Sequence, residues 1–241
     1  MARLESEEIV LCPDWPTVCL QAKSAISRKK PVVLWVTSNA TVSTVLTPPL
    51  RPFRPEDAPT VARLNDMASG GLLLSQWTEG AGVSGDPWEQ GRLQQIDQMN
   101  SGWVMIVFDH GDGVEAVLMG QAHPDEPVPT DGIDPVWVPL VELENLVPGC
   151  WCLNVIATSP ERRGRGHGAL LMNQAEQIAR EGRHQTLALV VADANTSAIR
   201  LYRRCGFSEF ARRAMVKGDW DGPGTDWVLM VKPLTYEQGG G

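Results

Sequence analysis

Three glycines alternate with basic residues in the second half of the chain. The run Arg163-Gly-Arg-Gly-His-Gly168 follows an apolar segment, 153–157, and opens a stretch with helical periodicity. Glycine lets the backbone curl tightly and turn its N–H groups outward. The N-terminus of a helix adds partial positive charge at the same place. The stretch 163–169 therefore predicts an anion site suited to a pyrophosphate.

Two well-known phosphate loops do not fit this stretch. An ATP-type loop ends in Gly-Lys-Ser or Gly-Lys-Thr, and neither tripeptide occurs in the chain. The dinucleotide fingerprint Gly-x-Gly-x-x-Gly needs its third glycine one residue beyond Gly168. What remains is Arg-x-x-Gly-x-Gly, from Arg163 to Gly168. Taken alone, that pattern also suits a glycine-rich strand-to-helix turn with surface arginines.

A second motif lies downstream of the first. Residues Asn195 to Phe207 read Asn-x-x-Ala-x-x-Leu-Tyr-x-x-x-Gly-Phe, and residues Arg163 to Leu171 read Arg-Gly-x-Gly-x-Gly-x-x-Leu. In this order and at this spacing, the pair resembles the two motifs of the GCN5-related N-acetyltransferase (GNAT) superfamily. The detailed resemblance covers about residues 150–232 and extends more loosely back to Leu50.

The resemblance implies a fold and an acyl donor. The fold is α/β (α+β), with a mixed, mostly antiparallel central sheet splayed between two parallel strands and flanked by helices. The donor is acetyl-CoA, whose pantetheine pairs with backbone of the first splayed strand, here 150–158, and whose pyrophosphate lies over the glycine loop. The CoA-binding residues that the resemblance implies are Ile156, Ala157, Thr158, Arg163, Gly164, Arg165, Gly166, His167, Gly168, Ala169, Asn195 and Tyr202.

The resemblance also implies transfer of the acetyl group to a primary amine by direct attack. Tyr202, which by sequence alone is an amphipathic residue at a core margin, would protonate the departing thiolate. A base must take the proton of the amine, and we consider Glu142 and Glu144, which alternate onto one face of an expected strand over 138–146. Two solvated carboxylates at a sheet edge are the plainer interpretation. A non-catalytic acyl-CoA-binding regulatory or partner-binding module is the alternative function.

Other residues near the motifs have more than one interpretation. Asn195 predicts a helix cap, and by the resemblance it also bonds to the pantetheine arm. His167 stands where the family often has an aliphatic residue, and we expect it to fill the loop rather than to react. The acceptor site should draw on residues 69–100 and 123–139. Three indoles could line it or could serve as packing: Trp77, Trp88 and Trp137.

Composition limits the remaining function classes. The net charge of −8 argues against generic nucleic-acid binding, although residues 160–217 carry eleven Lys and Arg against five Asp and Glu and would attract a polyanion. No run approaches the roughly 20 apolar residues of a membrane span, and the acidic N-terminus does not suit a secretion signal. Five cysteines without a framework pattern predict reduced thiols, no metal and a cytoplasmic location. A homodimer stays open.

The organisation of the chain can be predicted more coarsely. Thr47-Pro-Pro49 marks a boundary between an N-terminal extension, 1–47, and a transferase domain, 48–235, which a frayed tail, 236–241, follows. The sequence of the extension predicts two short strands, 9–12 and 31–36, around a helix over 17–28. In the domain we expect a hairpin of 102–109 and 114–122, helices within 69–100, a central strand at 186–192, and a closing antiparallel pair at 207–216 and 227–232.

Overall fold

The computed structural model describes residues 46–82 and 85–236. The strands and the helix predicted within 1–45, and the tail from residue 237, lie outside this range. Seven strands form one sheet in the described residues. They are β1 (Leu50–Pro52), β2 (Val104–Asp109), β3 (Val114–Ala122), β4 (Trp151–Thr158), β5 (Thr186–Ala192), β6 (Ser208–Ala214) and β7 (Asp226–Pro233).

Six helices accompany the sheet in the described ranges, with 3-10 turns at Pro55–Asp57 and Pro160–Arg162. They are α1 (Ala58–Ala68), α2 (Leu72–Ala81), α3 (Pro87–Asn100), α4 (Val138–Glu144), α5 (His167–Glu181) and α6 (Thr196–Arg204). None of them is long and apolar enough to cross a membrane. The predicted hairpin, central strand and closing pair are all present, and the predicted fold class is confirmed.

The sheet opens at one place. Its strand order is β1-β2-β3-β4-β5-β7-β6, and every neighbouring pair is antiparallel except β4 and β5. These two parallel strands pair only where Trp151 faces Leu187 and Cys152 faces Ala188. Beyond Cys152 they diverge, which leaves the later backbone of β4 without a partner in β5. The predicted splay is therefore confirmed.

One residue of β4 is inserted into the ladder with β3. Met119 lies opposite Val155 and Gly120 lies opposite Leu153, so Asn154 is a β-bulge. A bulge interrupts the alternation of side chains. Cys152 and Val155 consequently pack on the same face of the sheet, in adjoining clusters, and the Asn154 side chain reaches Cys152 on that face.

Helices cover both faces of the sheet. Helix α1 packs on the face that carries Val155, and α4 packs further along the same face over Cys152. Helices α5 and α6 cover the opposite face, where Leu171 and Ile178 of α5 are fully buried. This confirms the predicted helical stripe that follows the glycine loop.

The expected strand over 138–146 is wrong, because these residues form α4. Pro139 lies in the first turn of the helix, where the backbone N–H that proline lacks would have had no intrahelical partner. Residues two apart on a helix lie about 200° apart around its axis, whereas on a strand they share a face. Glu142 and Glu144 therefore point in different directions, and only Glu144 is buried.

Candidate active site

A cleft of about 840 Å³ opens at the gap between β4 and β5. The cleft is also lined by the C-terminal end of β5, by the start of α5, by α6, and by side chains from α1, α2, α3 and α4. Most of the residues predicted to bind CoA line it. They are Ile156, Ala157, Thr158, Arg163, Gly164, Gly166, His167, Gly168, Ala169, Asn195 and Tyr202, whereas Arg165 does not.

The glycine loop has the conformation that an anion site needs. Gly164 and Gly166 have φ values of 76° and 87°, in the left-handed region that favours glycine. A Cβ atom at either position would meet nothing within 4 Å, so conformation and not space requires these glycines. Gly166 is the N-cap residue of α5 and has no side chain to cap the helix, so the N–H groups of His167 and Gly168 are available to an anion.

Gly168 has a different role from the other two glycines. A Cβ atom there would lie 3.1 Å from Cδ2 of Leu201, so this glycine lets α5 approach α6 closely. Arg163 adds charge at the edge of the loop, where its Nε lies 3.4 Å from the Thr158 carbonyl oxygen and its guanidinium contacts the sulfur of Met67. Loop, helix terminus and arginine together fit a diphosphate group.

His167 is packed into the loop. Its ring stacks on Phe108 at 4.1 Å between centroids, and its Nε2 lies 3.9 Å from a carboxylate oxygen of Glu115. Burial lowers the pKa of His167, which favours the neutral imidazole. The ring thus anchors the start of α5 against β2.

Two predicted residues of the second motif line the cleft, one from the N-cap of α6 and one from the helix itself. The side-chain oxygen of Asn195 accepts a hydrogen bond from the Ala198 N–H at 3.2 Å, which is the predicted helix cap. Tyr202 is buried, and its burial raises the pKa of the phenol. The hydroxyl is therefore protonated at neutral pH and can act as a proton donor.

Glu144 brings a buried carboxyl group to the cleft. Only 5% of the residue is exposed, and its Oε1 accepts from the Cys152 thiol at 3.5 Å and from the Asn154 amide at 3.4 Å. Burial raises the pKa of Glu144 to about 7. A carboxyl group that titrates near neutrality is suited to accept a proton from a substrate. The Cys152 thiol has its pKa raised by the neighbouring Cys150 thiol and by burial, so it is a poor nucleophile.

Glu142 does not join Glu144. Its side chain is 46% exposed, lies outside the cleft lining and forms an ion pair with Arg213 at 3.0 Å. The prediction that both carboxylates share a face is thus wrong. Of the three indoles considered for the acceptor site, only Trp137 lines the cleft, because Trp77 and Trp88 pack edge-to-face against each other at 5.9 Å.

Several lining residues were not named individually from sequence, although Gln94 and Gln98 lie within the range 69–100 that was expected to contribute to the acceptor site. Neutral polar and aromatic side chains dominate this group, which comprises Asn65, Gln94, Gln98, Trp103, Asn154 and Trp227. The sequence offered one indication that Gln94 and Gln98 act together, because they are four residues apart in a predicted helix and so share a face. Trp103 lies near the start of one predicted strand and Trp227 begins another. An apolar residue at such a position is expected in the core, so neither was expected to line a cleft.

Comparisons with known proteins agree with this architecture. The sequence model of the Acetyltransferase (GNAT) family matches residues 74–207. An N-acetyltransferase of Methanocaldococcus jannaschii is 31% identical over 109 residues, which are 45% of this chain and 42% of that protein. The chain thus matches less than half the length of this curated relative.

Solved structures share the fold. A ribosomal-protein-alanine N-acetyltransferase from Brucella melitensis superposes with a TM-score of 0.52 at 20% identity, over 77% of this chain and 99% of the other. A phosphinothricin acetyltransferase from Sinorhizobium meliloti, solved in complex with AcCoA, gives 0.51 at 18% identity, over 80% and 91%. With the family match over more than half of its length, the chain belongs to the GNAT acetyltransferase family.

Proposed function

We propose that this protein transfers an acetyl group from acetyl-CoA to a primary amine by direct attack. The observation that carries the proposal is that the buried carboxyl of Glu144, whose pKa burial raises to about 7, lines the same cleft as the glycine loop and Tyr202. An anion loop, an unpaired strand edge, a proton acceptor and a proton donor are the parts that this transfer requires.

The donor would be held mainly by backbone. The first turn of α5 and the loop 163–169 would bind the diphosphate, with Arg163 adding charge. The backbone of Ile156, Ala157 and Thr158, which β5 leaves unpaired, would bind the pantetheine by strand addition, and Asn195 would bond to the same arm. Acetyl-CoA supplies the thioester carbonyl that the amine attacks.

The proton transfers follow from the two titratable groups. Glu144 takes a proton from the ammonium group, directly or through a water molecule, and so frees the lone pair that forms the new C–N bond. As the C–S bond breaks, Tyr202 gives its phenolic proton to the sulfur, and the nitrogen, positively charged after the C–N bond has formed, loses its excess proton, which restores the Tyr202 phenol. A β4 N–H beyond the bulge stabilises the negative charge that develops on the carbonyl oxygen. No covalent enzyme intermediate is needed, so neither Cys152 nor Cys205 is assigned a role in bond formation.

The proposal is tested by CoA release with a panel of primary amines. Glu144→Gln and Tyr202→Phe should each lower kcat by at least about ten-fold while CoA affinity is kept. Matched controls are Glu142→Gln, on the same helix but exposed, and Tyr236→Phe, outside the cleft lining. Turnover that is unchanged in Glu144→Gln would remove this carboxyl from the mechanism.

The named relatives do not select the acceptor. By their names, the two solved structures act on a ribosomal-protein alanine and on phosphinothricin, which are different amines. Both are below 25% identical to this chain and inform on the fold alone. The acceptor must therefore be inferred from the cleft itself.

A further inference from the structure

The loop between β6 and β7, residues 215–225, is tied to the opposite side of the gap in the sheet. Its base is fixed beside β5, where the Thr225 N–H donates to Oδ1 of Asp193 at 3.0 Å. From that base, the indole N–H of Trp220 donates to the carbonyl oxygen of Gly70 at 2.9 Å. Gly70 belongs to the α1–α2 turn, residues 69–71, and α1 packs on β4. This hydrogen bond therefore connects the strands β5 to β7 with the helices on the other side of the gap.

The loop holds the Trp220 ring in one place, where the residue is 6% exposed. A Cβ atom on Gly222 would lie 2.1 Å from the ring, so only glycine lets the loop fold this closely around the indole. The Lys217 ammonium group donates to the Gly222 carbonyl oxygen at 2.7 Å and lies 5.6 Å from the centroid of the ring. The loop therefore presents the indole N–H to Gly70 in a defined orientation.

Residues on both sides of this tie line the cleft, although Trp220 itself does not in the described part of the chain. On the strand side, the Trp220 ring is parallel to that of Trp227, with 6.0 Å between centroids. On the helix side, Leu72 begins α2 and packs in the same cluster as both indoles, and Ser69 directly precedes Gly70. Trp227, Leu72 and Ser69 all line the cleft. A displacement of Trp220 would therefore move lining residues without removing a group that touches a substrate.

Two consecutive glycines make the α1–α2 turn easy to displace. Gly70 and Gly71 have φ values of 67° and 86°, and glycine loses more conformational freedom on folding than any other residue. Within the turn, the Gly71 N–H donates to the Asp66 carbonyl oxygen at 3.0 Å, which closes the end of α1. The contacts from outside come from the loop, because a Cβ atom on Gly70 would lie 3.6 Å from Cδ of Pro223 and 3.7 Å from Cζ2 of Trp220. The loop thus packs directly on the flexible part of the turn.

We propose that Trp220 is a positioning residue for the amine, because it sets the spacing between the α1–α2 turn and Trp227 across the cleft. This inference rests on the proposed function, in which an amine binds in the cleft beside Glu144. Trp220 takes no part in proton transfer and acts through the lining residues that it holds. One contact leads from α1 toward the donor site, since the Met67 sulfur lies 3.2 Å from the Arg163 guanidinium. CoA affinity must therefore be measured beside the kinetics of the amine.

Trp220→Phe keeps an aromatic ring and removes the donor to Gly70. Loss of an ordinary hydrogen bond changes an equilibrium constant about five-fold, so KM for the amine should rise about five-fold, while kcat and the Kd of CoA change less than about two-fold. The assay is CoA release with phenethylamine, or with the primary amine of the panel that wild type acetylates fastest. Trp88→Phe, at an indole outside the cleft lining, is the matched control and should behave as wild type.

A second variant perturbs the same tie while the indole stays. Gly222→Ala places a methyl group where the Trp220 ring lies, so the ring must shift and KM for the amine should rise as in Trp220→Phe. Amide hydrogen exchange reports the position of the turn without any turnover. In both variants, exchange at residues 69–71 should become at least about five-fold faster, whereas exchange in the β2–β3 hairpin should stay as in wild type.

A purely structural role gives a different result, because a smaller fraction of folded protein lowers kcat and leaves KM for the amine unchanged. That result, a loss of CoA affinity by the same factor, or unchanged exchange in the turn would overturn the inference and leave acetyl transfer intact. If Trp220→Phe does not fold, Gly222→Ala decides by the same criteria. If no amine of the panel makes wild type release CoA, the proposed function is overturned, and the role of Trp220 with it.

Discussion

The buried carboxyl of Glu144 should make the protein less stable as the pH rises, and Glu144→Gln should remove this effect. The pKa of about 7 in the folded protein lies above the ordinary 4.5. Between these values the folded chain keeps a proton that the unfolded chain has lost, so stability falls as the pH rises through this window. At about 1.4 kcal/mol per pKa unit, the full loss above pH 7 is about 3 kcal/mol.

Urea unfolding at about pH 4.5 and about pH 9 measures the effect for wild type, Glu144→Gln and Glu142→Gln. Relative to wild type, the free energy of unfolding of Glu144→Gln should rise by about 2–3 kcal/mol from the lower to the higher pH. Glu142→Gln should show little change, because that side chain is 46% exposed. Comparing variants at each pH cancels the titration of all other groups.

Ionisation of the same carboxyl should raise the rate of acetyl transfer, whereas it lowers the stability of the fold. As a base it must be ionised, so kcat/KM of wild type should rise with pH up to about 7, and Glu144→Gln should lack this limb. The variant would then be more stable at alkaline pH and less active. If Glu144→Gln is less stable than wild type at pH 9, or if the difference in stability is independent of pH, the carboxyl is not held as a buried acid.

Two further predictions concern the loop and the ion pairs. Gly166→Val, at a φ of 87°, should abolish CoA binding in equilibrium titration, whereas Gly111→Val, at a φ of 108° in the hairpin turn, should be strained but bind CoA normally; retained affinity in the first variant would contradict the diphosphate assignment. Arg51→Gln should lower the free energy of unfolding by about 2–3 kcal/mol, because Arg51 forms a two-bond pair at 2.7 and 2.8 Å with the buried carboxylate of Asp57. Arg92→Gln, which breaks an exposed pair, should leave that free energy nearly unchanged, and equal losses would show that burial is not what matters.

Sequence reasoning found the parts of the site that backbone chemistry determines. Gly164 and Gly166 were predictable because left-handed backbone favours glycine, and Asn195 because a helix start favours its side chain. Such local requirements restrict which residue types can occupy a position, so they can be recognised in the sequence. The splay between β4 and β5 followed from the family resemblance and not from any property of single residues.

The acceptor side of the cleft was less predictable. Val141 to Glu144 alternates apolar and acidic residues as a strand does, yet it belongs to a seven-residue helix, Val138–Glu144, that packs on the sheet. The bulge at Asn154 depends on register with β3, which no pattern within β4 reveals. Trp103 and Trp227 have the same residue type as the packing indoles Trp77 and Trp88, and only tertiary contacts distinguish them.

The short junction between β4 and β5 has a consequence for the whole molecule. Antiparallel ladders join β1 to β4 and join β5 to β7, but in the described part of the chain only two residue pairs link these two groups of strands within the sheet. A molecule bound in the gap would contact β4 on one side and β5 on the other, and so would connect the two groups of strands. Such a molecule should therefore add to the free energy needed to separate the two groups of strands.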